Sequence, residues 1–210
     1  MSLAARLWQD SAEQAAAARA HPFVRGLGDG SLPLPVFQVY VAQDAVFLEG
    51  FARAYALALA RSPDRATLEA FADLISGVRD ELRLHASYAE QWGVGVETAE
   101  PLPATAAYTD FLLATAALGG VGVTCAALAP CLRLYAHLGQ GLDAEAAGPY
   151  APWVRTYADP AFEALTGTLE DLLDRHAPDT PEVAAAYRRA MALELGFFSA
   201  ALRAADGSSG

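Results

Sequence analysis

Charge is scarce in this chain of 210 residues: Asp, Glu, Lys and Arg make up 19% of it, against 54% hydrophobic residues. That balance excludes intrinsic disorder, because burying so much apolar surface can offset the entropy lost on ordering. The length suffices for one large single-core domain. Positive charge is scarcest of all. Lys and Arg total 14 against 25 Asp and Glu, for a formal net charge of −11, and no basic run breaks the acidity. Nucleic acid is excluded as a partner on this ground, since binding it needs a positive footprint. The acidity otherwise reads as solubility. Cysteine occurs twice. Cys125 and Cys131 fit neither a CxxC redox pair nor a zinc half-site. On one helix they would lie about 9 Å apart along its axis, too far for a disulfide, and they read as reduced thiols of a cytoplasmic protein. The N-terminus, MSLAARLWQDSAEQ, meets charge before any apolar run of useful length, so no secretory signal is read there.

Strand alternation, internal repeats, low-complexity blocks and interdomain linkers are missing as well. Segment 111–132 is free of charge and about as long as the ~20 apolar residues a membrane span requires. Gly119-Gly120 and Gly122 interrupt it, and Pro130 sits near its end. Two buried helices meeting at a glycine turn are expected instead, and no membrane.

Helix signals recur from end to end. An alanine-rich helix over 8–20 ends at His21-Pro22, and a loop over 26–31 follows. Ser31 is the candidate N-cap, with Pro33 in the first turn, of a long helix to about Arg61. Ser62-Pro63-Asp64 opens another, to about Trp92, closed by Gly93 and Gly95. Pro101 and Pro103 open the next, closed by Gly119-Gly120. A helix carrying Cys125, Cys131 and Tyr135 stops near Gly139. A short helical piece over 149–157 precedes a helix from Asp159-Pro160 to about His176. Pro178-Asp179-Thr180-Pro181 opens the last. The expected fold is all-α: a single-domain helical bundle of about seven or eight helices over 1–205, with 206–210 a small, polar, disordered tail.

Polar groups inside apolar stripes are the candidate functional residues. Phe37, Tyr40, Val41, Phe47, Leu48, Phe51 and Tyr55 recur in steps of three and four, and Asp44 lies inside that stripe. A carboxylate there is costly to bury unless something pairs with it. Glu194 sits the same way among Tyr187, Met191, Phe197 and Phe198. Cys131 shares a face with Leu128, Tyr135 and Leu138, and Tyr157 follows Trp153 by four. Singly, each has a structural reading: a buried thiol as a small hydrophobe, a core tyrosine as packing with one hydrogen bond, a buried acid as an anchor. Converging, they would supply a nucleophile, a general acid/base and a second carboxylate to orient a substrate. Spacing alone leaves both readings open.

These same residues carry a resemblance. HPFVRGLGDGSLPLPVFQVYVAQDAVFLEGFARAYALA, from His21, resembles an HPF opening, a short G/D loop, a Y-x-x-QD helix and FARAY. A second block, ALAPCLRLY ending at Tyr135, is similar to A-L-x-P-C-x-x-x-Y. A third, from Tyr150 to Phe162, holds W-x-x-x-Y and a later Phe. A fourth, from Glu194 to Phe198, is similar to a terminal E-x-x-F-W. Four blocks in this order, over about residues 3–205, resemble the TenA family of thiaminase II or aminopyrimidine aminohydrolases of thiamin salvage, which have the haem-oxygenase-like all-α fold. The resemblance implies Cys131 as nucleophile toward an electron-poor pyrimidine ring and Glu194 as acid/base for the leaving amine. It implies Asp44 as the carboxylate holding the ring's amino group, Tyr135 and Tyr157 as hydrogen-bonding tyrosines, and Tyr108 as an aromatic stacked on the ring. It also implies a pyrimidine small-molecule substrate, a homotetramer, and neither cofactor nor metal.

Two positions depart from the family pattern. Phe47 stands where many members place a tyrosine, removing a hydroxyl near the pocket, and Phe198 replaces the usual Trp. Other chemistries on the same fold remain as alternatives. Haem would want an axial histidine, and His21 or His85 could be offered, though His21 before Pro22 reads as local structure. Glu81 and His85 share a face at i, i+4, but a di-iron site wants two Glu-x-x-His pairs. A pyrimidine-binding or regulatory protein that keeps the pocket without turnover is the remaining alternative.

Overall fold

Helix α4 (Leu34–Ala60) forms because its apolar residues recur with helical period for 27 residues. One face of its N-terminal half is fully buried: Phe37, Tyr40, Val41 and Asp44 are all enclosed. The rest of the chain wraps around it. The computed structural model describes residues 1–94 and 99–207, except the side chains of residues 84, 85, 87, 88, 90, 91, 206 and 207. Among the described residues the fold is all-α, with ten α-helices and no strand: α1 (Leu3–Asp10), α2 (Ala12–Ala20), α3 (Pro22–Gly28), α4, α5 (Arg65–Trp92), α6 (Pro103–Leu118), α7 (Val121–Gly141), α8 (Ala151–Ala158, after a 3-10 turn at Gly148–Tyr150), α9 (Pro160–His176) and α10 (Pro181–Gly207). Helix α4 packs on α5, α6 and α10; α7 packs on α8, α9 and α10.

Local chemistry sets the helix ends. The Asp64 carboxylate caps α5 by accepting from Thr67 N at 2.9 Å. At its other end Gly93 takes φ +65°, a left-handed conformation that favours glycine, and its N–H bonds Ala89 O. The α6–α7 corner is the expected glycine turn. Arg61, at the end of α4, donates to Ala116 O at 2.8 Å and Gly119 O at 2.6 Å, satisfying carbonyls that the helix end leaves open. Helix α7 is long and apolar enough to cross a membrane by composition, but 72% of that window is buried inside the protein. Arg133 anchors it to α9 by a two-pronged bond to Glu170, at 2.7 and 2.6 Å, and a third to Glu163 at 2.9 Å.

Several sequence expectations need correction. The alanine-rich helix is two helices, broken at Ser11, whose buried hydroxyl bonds back to Leu7 O at 2.9 Å. The segment after His21-Pro22 is not all loop. Pro22 starts α3, and His21 Nδ1 caps it by accepting from Phe23 N at 3.3 Å. Ser31 is not the N-cap of α4; its N–H and hydroxyl donate to Asp29 at 3.0 and 2.5 Å, and Pro33 occupies the cap position. These changes account for ten helices rather than seven or eight. Helix α10 runs to Gly207, two residues past Ala205. The rest of the expected tail, 208–210, lies outside the described residues, as do Gly95 and the side chain of His85.

Candidate active site

The Y-x-x-QD segment divides its tasks. Gln43 fastens α4 to the start of α6: its amide donates to Glu100 O at 3.0 Å, while its carbonyl accepts from Leu102 N at 2.8 Å and Thr105 Oγ1 at 2.6 Å. One residue on, about 100° around the helix, Asp44 is 3% exposed and lines an internal cavity. Phe47 follows on the same wall, its ring 4.7 Å from that of Tyr108. Helix α7 brings Cys131 and Tyr135 to the cavity, and α8 brings Tyr157. The α7–α8 approach depends on Gly139, where a Cβ would lie 2.5 Å from the Tyr157 carbonyl carbon and 2.7 Å from Ala158 N. Pro130, inside α7, cannot close the helical bond to the Ala126 carbonyl, one residue before the thiol.

Cys131 and Glu194 meet. The Cys131 thiol and the Glu194 carboxyl group are near enough for each to bear on the other's proton, and Tyr108 Oη donates to Glu194 Oε1 at 2.7 Å. Burial pushes the Glu194 carboxyl up to about 7; the bond from Tyr108 and the neighbouring Cys131 thiol oppose that rise, and the nearby charge of Asp44 adds to it. The Cys131 thiol is also held well above its ordinary value, first by burial and then by the carboxylates of Glu194, Glu81 and Asp44. The resting pair is therefore a neutral thiol beside a carboxyl group that changes protonation near neutral pH. Cys125, the other free cysteine, is enclosed, and burial raises its thiol to about 12.

The phenols are ordered by direction. Trp153 Nε1, which can only donate, donates to Tyr40 Oη at 3.1 Å, and Tyr40 donates to Tyr135 Oη at 3.2 Å. Tyr135 thereby holds its hydroxyl at the wall of the cavity it lines. Tyr157 points its hydrogen elsewhere, donating to Glu81 Oε1 at 2.6 Å, and so offers lone pairs. The cavity itself is about 30 Å³, room for little more than a water. Gly77, Glu81, Phe162 and Leu165 line it and also line an outer pocket of about 360 Å³ on the α5–α9 face. A ring entering from that face must part these side chains.

The structure thus brings together Asp44, Phe47, Cys131, Tyr135 and Tyr157 around one cavity, with Glu194 and Tyr108 bonded to each other and Glu194 near the thiol. Tyr108 is buried with its hydroxyl on Glu194, which makes it a partner of that carboxyl group as well as an aromatic wall against Phe47. Phe198 packs against Phe23 and Tyr135. His21 is local structure, capping α3 and bonding Ser199 Oγ at 2.9 Å. Glu81 is the residue that stripe reasoning missed. It lies three residues past Val78 and seven past Leu74, both core residues, so the test that singled out Asp44 would have found it. The Trp153–Tyr40 relay left no such signal, because it depends on where α8 crosses α4.

The sequence pattern of the TENA/THI-4/PQQC family matches residues 6–204. An aminopyrimidine aminohydrolase of Halalkalibacterium halodurans is 34% identical over 84% of this chain and 83% of its own length. Two multifunctional relatives are much longer, and the chain spans 34% and 26% of them. Among solved structures, a TenA family transcription regulator from Silicibacter sp. TM1040 superposes with a TM-score of 0.88 at 29% identity, covering 94% of this chain and 95% of that one. A Shewanella denitrificans domain with a haem-oxygenase-like fold superposes with a TM-score of 0.76 at 14% identity, covering 95% and 91%. Matched over nearly its whole length by the family pattern, and folded as the family's solved members are, this chain belongs to the TENA/THI-4/PQQC family, in its TenA branch.

Proposed function

We propose that this chain is a thiamin-salvage hydrolase of the thiaminase II type, which acts on an aminopyrimidine such as 4-amino-5-aminomethyl-2-methylpyrimidine, and on thiamin itself, to release hydroxymethylpyrimidine. The observation that carries the reading is the Cys131 thiol at a cavity lined also by the carboxylates Asp44 and Glu81, with the buried Glu194 carboxyl group close to that thiol. The similarity to an aminopyrimidine aminohydrolase supports it.

The chemistry follows from the groups present. A thiol is a good nucleophile toward an electron-poor ring only as the thiolate, and Cys131 is not ionised at rest. Glu194, near 7, takes the thiol proton as the sulfur–carbon bond forms on the ring. It then passes that proton to the departing amine. Tyr108 supports the ionised carboxylate while it waits. Asp44 holds the ring's amino group, Tyr135 gives its hydrogen to a ring nitrogen, and Tyr157 accepts from an N–H. Water adds at the carbon the amine left, its proton returns through Glu194, and the sulfur leaves the ring as thiol. The homotetramer and the cytoplasmic setting belong to the same proposal, and sedimentation of the purified protein tests the first.

Incubation with the aminopyrimidine, following ammonia and the hydroxymethyl product, tests the reading. Stoichiometric ammonia and product are expected. Tight binding with no product over long incubation would favour a pyrimidine-binding protein instead.

A further inference from the structure

Tyr55 has an unexplained hydroxyl. The residue is 1% exposed, its ring packs 4.9 Å from Phe51 and 6.0 Å from Phe71, and it lines the same cavity as Cys131. Among the described residues its Oη has no hydrogen-bond partner. Phenylalanine would pack as well without the cost of an unsatisfied buried polar group. Tyr187 carries the other such hydroxyl but is not among the side chains lining the cavity. The ionisable group that bears most on the Tyr55 hydroxyl is the Cys131 thiol. A buried polar atom without a partner, on a residue that lines the cavity of Cys131, is a place for a ligand atom once the cavity opens to take one.

The position says which atom. Asp44 and Tyr55 are eleven residues apart on α4, so they lie on one side of the helix with Cα atoms about 16 Å apart along its axis. Both side chains lean toward the helix N-terminus, the longer tyrosine more, which leaves roughly 12 Å between hydroxyl and carboxylate. Hydrogen bonds of about 2.9 Å at each end leave roughly 6 Å for a ligand to span. A ring amine on Asp44 and an arm nitrogen on the neighbouring ring carbon are closer than that. A substituent carried by the arm nitrogen reaches it.

We infer that the Tyr55 hydroxyl is a specificity-determining contact for the leaving group, and that the cavity takes aminomethylpyrimidines whose arm nitrogen bears a substituent with a hydrogen-bonding atom. This rests on the aminopyrimidine reading above. The test compares three substrates with wild type and Tyr55→Phe: the unsubstituted aminomethylpyrimidine, its N-(2-hydroxyethyl) derivative and its N-propyl derivative, which replaces the hydroxyl by a methyl. Wild type should favour hydroxyethyl over propyl by about 3- to 10-fold in kcat/KM, the worth of one hydrogen bond. Tyr55→Phe should abolish that preference, leave the unsubstituted substrate unchanged, and melt no lower than wild type. The same preference in both proteins, an equal loss on all three substrates, or a lowered melting temperature would overturn the inference. Turnover of none of the three by wild type would remove the aminopyrimidine reading itself, and this assignment with it.

Discussion

Replacing Glu194 by Gln should make the protein more stable above neutral pH while removing its acid/base. The side chain is 1% exposed, and burial holds its carboxyl at about 7, against an ordinary 4.5. The native state therefore keeps the proton through a window in which the unfolded chain releases it. Between those two values the native state binds more protons, so unfolding free energy falls as pH rises. The whole penalty, about 3 kcal/mol at ~1.4 kcal/mol per tenfold, is present above pH 7 and absent below pH 4.5. Glutamine keeps the shape and has no charge to bury. Urea unfolding of both proteins at intervals from pH 4.5 to 8.5 measures the difference directly. The variant should gain about 3 kcal/mol on wild type across that range, and lose about 10²- to 10⁴-fold in turnover at every pH. A flat stability difference would refute the argument, because it would mean that the carboxyl group is not held protonated by its surroundings.

The other expectations use the same geometry. Tyr108→Phe removes the donor that favours the ionised form of Glu194, so the rise of kcat/KM with pH should move to higher pH; an unmoved profile would detach Tyr108 from the acid/base. Gly139→Ala drives a Cβ into the Tyr157 and Ala158 backbone at 2.5 and 2.7 Å. It should cost about 1–3 kcal/mol and weaken substrate binding by displacing Tyr157, both readable from a melting curve and KM.

The residues show why part of this was legible in advance. Asp64, Gly93 and Asp159 act through neighbours one turn away, so α5 and the start of α9 fall where local chemistry says. Asp44, Cys131 and Glu194 announced themselves as polar atoms on apolar faces. Their meeting did not, because it depends on how α4, α7 and α10 cross. The misses near the N-terminus have the same origin. Ser11 breaks a helix that alanine favours because its hydroxyl is buried against Leu7 O, and Asp29 draws Ser31 away from the cap. Tyr55 and Tyr40 read identically in sequence as stripe aromatics. One carries a hydrogen-bond relay and the other an open hydroxyl, a distinction that exists only once their neighbours are placed.

The central claim is that the Cys131 thiol carries the reaction. Ammonia release from 4-amino-5-aminomethyl-2-methylpyrimidine by wild type and Cys131→Ala, with matched melting curves, tests it most directly. Release by wild type alone, from two proteins folded equally well, is the predicted result. Comparable release by the alanine variant would contradict it.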